Sequence, residues 1–191
     1  MTLLFIALNS FLVILLVFII IASIIFWLLF FWSAIITRTP FVPVPKKLLR
    51  EIIKALKIKE SSVVYDLGCG DGRVLAACYK MHPQAQYVGI ERDFIAIFVV
   101  WLRRKIFSKA DAISIFQGDF FKYDLSAATH IFIYLYPQIM DNLSSKLEKE
   151  LLSGARVVSC DFSLPRKEPA EVIDLHRSRF YRGRKLFIYI Y

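Results

Sequence analysis

Three glycines at alternate positions, Gly68, Gly70 and Gly72, are interleaved with carboxylates: Asp66 precedes them, Asp71 lies among them and Glu91 follows. Without a Cβ these positions can take strained backbone angles and bring bare main chain against a ligand. A dinucleotide fingerprint would space its glycines G-x-G-x-x-G and set a pyrophosphate at a helix N-terminus. Here the spacing is G-x-G-x-G, and the surrounding acids repel a pyrophosphate and suit a ligand that carries cationic groups. Glu91 stands about 20 residues past the turn, where a ribose diol would be hydrogen-bonded. A second constellation is aromatic. In Tyr134-Leu135-Tyr136-Pro137-Gln138 the two tyrosine rings can hold a cationic or methylated amine by cation–π attraction worth about 0.5–2 kcal/mol.

These groups need a scaffold, and the residue pattern supplies one. Val63-Val64-Tyr65-Asp66-Leu67 reads as a buried strand that runs into the glycine turn, and residues 74–81 read as the crossover helix after it. Further strands are expected at 87–91, 113–117, 131–135 and 156–160, a helix at 140–152, and a closing β-hairpin from 171–174 and 186–191. Strands alternating with helices give a mostly parallel α/β sheet, with ligand at the carboxyl ends of the strands. Residues 46–59 carry Leu48, Leu49, Ile52, Ile53 and Leu56 at helical spacing. That stripe is expected to pack on the domain, with a helix lying against lipid headgroups as the alternative. Residues 94–105 have no polar face until Arg103-Arg104-Lys105. A buried helix accounts for this, and a surface meeting lipid or a membrane-embedded partner is the other reading.

A chain of 191 residues makes one domain plus an appendage. Ser23 is the only polar side chain in residues 11–32, and that run spans about 33 Å as a helix, enough for a bilayer core. It has no basic leader and no small-residue cleavage site, so it reads as a retained transmembrane anchor rather than a cleaved signal. Trp27 and Trp32 fit an interfacial belt. Arg38, Lys46, Lys47 and Arg50 follow, so the positive-inside rule puts the domain on the cytoplasmic side, or its equivalent at the mitochondrial inner membrane. No ionisable residue lies within the span, which argues against transport. The expected division is an anchor at 1–37, a proline-rich spacer at 38–45 and the main domain at 46–191. The spacer, Thr39-Pro40-Phe41-Val42-Pro43-Val44-Pro45, favours polyproline II and covers about 20 Å.

A net charge of +9 asks for an acidic partner. With an anchor present, anionic lipid headgroups are the economical choice. Arg177, Arg179, Arg182, Arg184 and Lys185 keep nucleic acid as a lesser alternative, and a solvated face as the plain one. Cys69, Cys78 and Cys160 show no C-x-x-C spacing, and His82, His130 and His176 are scattered. Neither set implies a disulfide framework or a metal site.

The run from Asp66 to Arg73, D-x-G-x-G-x-G, resembles the S-adenosylmethionine loop of class I (seven-strand) methyltransferases. The resemblance implies a Rossmann-like sheet and S-adenosyl-L-methionine as cofactor. Asp66 would face the ammonium of the methionine part, and Gly68, Cys69, Gly70, Asp71 and Gly72 would form the turn on which carboxylate and ribose lie. Glu91 would bind the ribose, Asp119 the adenine amino group, and Phe120 would pack on the ring. Tyr134, Tyr136 and Gln138 would fall in the acceptor-positioning loop. The N-P-P-Y type sequence is missing there, which counts against DNA bases or glutamine amides as acceptors.

Taken with the apolar span, the proline spacer, Tyr136-Pro137-Gln138-Ile139-Met140 and Arg156-Val157-Val158, the chain is similar to a narrower group. These are the membrane-anchored mitochondrial protein-lysine methyltransferases that modify the ATP synthase c subunit and the adenine nucleotide translocase, with their prokaryotic relatives. Cys69 departs from their usual serine, and Tyr134-Leu135-Tyr136 from their Phe-Gly-Val type sequence. The resemblance implies methyl transfer to a lysine of an integral membrane protein; such an in-line attack on a sulfonium carbon needs mainly positioning of the pair, so no dedicated metal is expected. A lipid, quinone or other small membrane-soluble acceptor is the alternative, and a non-catalytic module that binds S-adenosylmethionine is a third reading.

Overall fold

The computed structural model describes residues 2–37, 42–104, 112–175 and 184–191. Arg38, residues 39–41 of the spacer, Lys105, His176, Arg177, Arg179 and Arg182 lie outside the described residues.

Seven runs of β-branched and apolar residues form one sheet. They are β1 (Val63–Leu67), β2 (Gln86–Glu91), β3 (Ile113–Gln117), β4 (His130–Ile133), β5 (Arg156–Cys160), β6 (Glu171–Asp174) and β7 (Lys185–Ile190). Their order is β3-β2-β1-β4-β5-β7-β6. The first five strands in sequence are mutually parallel, whereas β7 runs antiparallel to both β5 and β6. The chain therefore winds outward from β1 to β3, then returns to lay β4 against the other edge of β1. That reversal opens a crevice at the carboxyl ends of β1 and β4, the place where open α/β sheets hold ligands.

Period-two alternation sorts the core into two layers. Phe132 and Val158 join Ile52, Leu56, Leu75, Cys78 and Tyr87 on one face. Ile131, Ile133 and Val157 join Leu67, Ile90, Leu143 and Leu147 on the other. Each fully buried side chain of this size stabilises the fold by about 1.5–3 kcal/mol before entropy is counted.

The helices are α1 (Thr2–Thr37), α2 (Leu49–Leu56), α3 (Arg73–Met81), α4 (Phe94–Arg104) and α5 (Pro137–Glu150). In α2 the residues Ile52, Ile53 and Leu56 are buried in the core, so the expected packing on the domain holds and no apolar stripe remains for headgroups. It stops at Lys57, which turns left-handed at φ 53°. α5 starts three residues before the expected Met140 because Pro137, with φ already fixed, sits in the first turn, where a missing N–H costs nothing.

α4 departs from the expectation of a buried helix. Ala96 and Val100 are buried, but Phe94, Phe98, Trp101 and Leu102 are exposed. A helix apolar on every side gives no amphipathic signal to show which face the sheet will take.

Residues 1–40 and 41–191 form separate compact units. In the first, every side chain from Phe5 to Phe31 is exposed. In the second, Pro45 has polyproline-like angles (φ −58°, ψ 132°) and Val44 is buried in the core.

Candidate active site

The glycine turn is built as its spacing demands. Gly68, Gly70 and Gly72 have φ of 75°, 55° and 70°, a region that costs other residues about 1–2 kcal/mol each. The Gly68 N–H donates to the carbonyl of Ile90 at 2.8 Å, and the Gly72 N–H to that of Cys69 at 2.9 Å. A second requirement comes from β2, where a Cβ on Gly89 would lie 2.7 Å from Cys69 Sγ and 2.9 Å from Leu75 Cδ1. Gly89 thus lets Cys69 and the start of α3 settle onto the sheet, a packing role with no local sequence signature.

Four acids meet at this end of the sheet, and their situations differ. Asp66, one residue before the end of β1, is only 2% exposed. Burial first, then the charges of Glu91 and Asp71, hold its carboxyl well above the ordinary range. An ionised Asp66 is therefore costly until a cation arrives beside it.

Asp71 already has a cation. Arg73 donates from Nε to Oδ1 at 2.8 Å and from Nη2 to Oδ2 at 2.6 Å, and from Nη1 to the carbonyl of Val44 at 2.9 Å. Asp71 ties the turn to the chain entering the domain, so the case for a cationic ligand rests on Asp66 and Glu91.

Glu91 braces the turn from β2. Its Oε2 accepts the Gly70 N–H at 2.8 Å, while Oε1 accepts those of Arg92 at 2.7 Å and Asp93 at 2.8 Å. A carboxylate has about four acceptor positions, so one remains for a hydroxyl. At the end of β3, Asp119 accepts the Phe121 N–H at 3.0 Å and caps the short 3-10 turn Phe120–Lys122. The Phe120 and Phe121 rings lie 4.7 Å apart. Since the Gly118 N–H donates to the Glu91 carbonyl at 2.8 Å, the ends of β2 and β3 are level. Asp66, Glu91 and Asp119 accordingly follow one another along the carboxyl edge of three adjacent parallel strands.

On the other side of the crevice lies a cavity of about 480 Å³, a usual size for a ligand pocket. Tyr134, Leu135 and Tyr136, the residues that follow β4, line it together with Asp161 and Phe162 after β5 and Arg184 and Lys185 at the start of β7. Gln138 is not among the lining residues; it is exposed in the first turn of α5. Leu135 joins the two halves: it lines the cavity, and its Cδ2 lies 2.8 Å from where a Cβ on Gly68 would be.

Asp161 and Phe162 were not singled out by the sequence. Asp161 has φ 67° and accepts the Arg184 N–H at 2.6 Å, which ties the end of β5 to β7. A signal was present, because Asp161 is the first residue after β5, just as Asp119 closely follows β3.

The fold is shared with a solved structure that holds the product form of a methyl-donor cofactor. The structure of an RNA methyltransferase from Salinibacter ruber in complex with S-adenosyl-L-homocysteine matches 78% of this chain and 93% of its own, at a TM-score of 0.71 and 33% identity. Fold and site define a class I methyltransferase with S-adenosyl-L-methionine as its cofactor. More narrowly, residues 66–171 match the family described as the ANTKMT methyltransferase domain, and the chain belongs to that family. It is 36% identical over 138 residues to a protein-lysine N-methyltransferase of Saccharolobus islandicus, covering 72% of this chain and 86% of that protein. It is 33% identical over 136 residues to the human lysine N-methyltransferase of the ATP synthase c subunit, covering 70% of this chain and 56% of the human protein. The chain thus spans little more than half of the human relative.

Proposed function

We propose that this chain is a membrane-anchored methyltransferase that modifies a lysine of an integral membrane protein. The observation that carries the reading is Leu135, which touches the glycine turn on one side and lines the aromatic cavity on the other. Cofactor and acceptor positions then share one wall, as direct transfer between them requires.

The buried Asp66 and the carboxylate cluster suit the cationic cofactor, which supplies a methyl group on a positively charged sulfur. Asp66 would face its ammonium, Glu91 its ribose, Asp119 and Phe120 its adenine, with Gly68, Cys69, Gly70, Asp71 and Gly72 as the bed. Tyr134 and Tyr136 would hold the acceptor amine, and Gln138, outside the cavity lining in the first turn of α5, would help to position the acceptor.

A lysine must lose its proton before it can attack, at a cost of about 4.6 kcal/mol at neutral pH. An apolar, membrane-proximal pocket lowers that cost by disfavouring the ammonium form. Once methylated, the amine regains its charge against the tyrosine faces.

The membrane part of the proposal draws on α1. Phe5–Phe31 gives 27 residues, apolar except for Asn9, Ser10 and Ser23, about 40 Å of helix against a hydrocarbon core of about 30 Å. Residues 1–37 would be the anchor, 38–45 the spacer and 46–191 the catalytic domain on the cytoplasmic or equivalent side. The name of the human relative, which acts on a subunit of ATP synthase, supports a membrane protein as acceptor.

The test supplies purified chain and methyl-labelled cofactor to membranes from a strain lacking this gene. Label recovered as methyl-lysine in protein is the expected result. Label in the lipid extract would instead establish the small membrane-soluble acceptor. Label in RNA would align the chain with its Salinibacter ruber neighbour, and cofactor binding without any labelled product would make it a non-catalytic module.

A further inference from the structure

The exposed face of α4 is a feature of the catalytic domain that cofactor and acceptor chemistry leave unused. Phe94, Phe98, Trp101 and Leu102 recur at helical spacing and are 60%, 49%, 54% and 47% exposed. Phe98 and Trp101 stack on each other at 5.9 Å, forming one apolar surface rather than scattered rings. The opposite face is occupied: Ala96 and Val100 are buried, and a Cβ on Gly72 would meet Val100 Cγ2 at 3.5 Å. α4 therefore backs onto the cofactor turn and turns an aromatic stripe away from it.

We infer that this stripe docks in the interfacial layer of an anionic bilayer and lays the catalytic domain against the membrane surface. The inference rests on the membrane-anchor reading above and adds a second, monotopic contact to it. Charge selects lipid as the occupant. Asp93 caps the helix start beside the exposed Arg92, whereas at the other end Arg103, Arg104 and Lys105 follow the apolar run and no acid occurs in residues 94–110. An exposed aromatic face in a segment that continues into Arg103-Arg104-Lys105 matches acyl chains beneath negative headgroups. Reach agrees as well. Residues 42–45 belong to the domain, so the tether is the four residues 38–41, which extend at most about 14 Å, and a domain of about 150 residues has a radius of gyration of about 15 Å. A bilayer holding α1 is thus always close enough to be touched. The apolar face of such a helix sinks about 5–10 Å into the headgroup boundary.

The chain's three tryptophans make a direct experiment possible, since Trp27 and Trp32 belong to α1 and Trp101 to α4. Full-length protein carrying Trp27→Phe and Trp32→Phe is reconstituted into phosphatidylcholine–phosphatidylglycerol vesicles. Trp101 emission is then read with lipids brominated near the headgroup end of the acyl chains. A parallel Trp101→Phe protein reports on α1 with lipids brominated deep in the chains. The expected result is a blue-shifted Trp101 quenched by shallow bromines, alongside quenching of the α1 tryptophans. Adding Phe94→Asp and Phe98→Asp should abolish the Trp101 quenching while S-adenosylhomocysteine binding, the measure of folding, is unchanged. Quenching in α1 with none at Trp101 overturns the inference and leaves the anchor standing. A blue-shifted but unquenched Trp101, as from a second copy or another protein on the stripe, overturns it too. Loss of quenching at both places overturns the anchor reading and this inference with it.

Discussion

Replacing Asp66 by Asn tests the electrostatics of the site at its centre. The carboxyl is 2% exposed, and burial, then Glu91 and Asp71, raise its pKa well above the ordinary value of 3.8. Arg73 neutralises Asp71, and Glu91 spends itself on three N–H groups, so Asp66 is the buried acid best placed to meet the ammonium of the cofactor. A hydrogen bond to a charged group contributes about 1.5–3 kcal/mol, so the Asn variant should bind S-adenosylmethionine roughly 10- to 150-fold more weakly. Stability should move the other way. A carboxyl whose folded pKa is raised contributes stability that is fully present below 3.8 and lost as pH rises through the folded value. The ligand-free wild type should therefore lose stability with rising pH in that window, and Asp66→Asn should not. Calorimetric titration in two buffers of different ionisation enthalpy, at a pH within that window, would add that wild-type binding releases a proton and the variant's does not. Parallel melting curves at every pH, together with wild-type affinity in the Asn protein, would refute the assignment.

Gly68→Ala places a side chain at φ 75° with its Cβ 2.8 Å from Leu135 Cδ2. Chemical denaturation should show a loss of about 1–2 kcal/mol, and calorimetry weaker cofactor binding. Arg73→Ala leaves Asp71, 5% exposed, without its guanidinium. Because Arg73 itself is 21% exposed, the expected loss is about 1–3 kcal/mol, below that of a fully buried pair, and adding Asp71→Asn should restore part of it in a double-mutant cycle. Tyr136→Ala should raise the acceptor KM by roughly 2- to 30-fold while the cofactor Kd stays unchanged, and Tyr136→Phe should keep most of the affinity. An equal loss in both constants would remove Tyr136 from the acceptor side.

The parts of this molecule that were legible in its sequence are those where local chemistry and fold agree. Gly68, Gly70 and Gly72 announce positive φ, and the strands 113–117, 156–160 and 171–174 stand where β-branched and apolar runs put them. Asp66 and Glu91 could be placed at strand ends because each follows an apolar run directly, and Asp119 because it comes two residues after the strand run 113–117. Other features needed tertiary contacts. Nothing in residues 59–73 says that Arg73 will reach back to Val44 and claim Asp71. The orientation of α4 is hidden by its own apolar composition, and the start of α5 by a proline that reads as a breaker yet serves as a first-turn residue. Asp161 enters the cavity only because β7 pairs antiparallel with β5, which brings Arg184 and Lys185 beside it from more than twenty residues away.

The central claim is that a cationic adenosyl cofactor lies on the bare turn after β1 and faces the cavity behind Leu135. A crystal structure of the chain with S-adenosylhomocysteine tests it most directly. The ligand should place its amino group beside Asp66, a ribose hydroxyl on Glu91 and its sulfur toward Tyr136. A ligand bound away from the glycine turn, or with its sulfur turned from the cavity, would contradict the account.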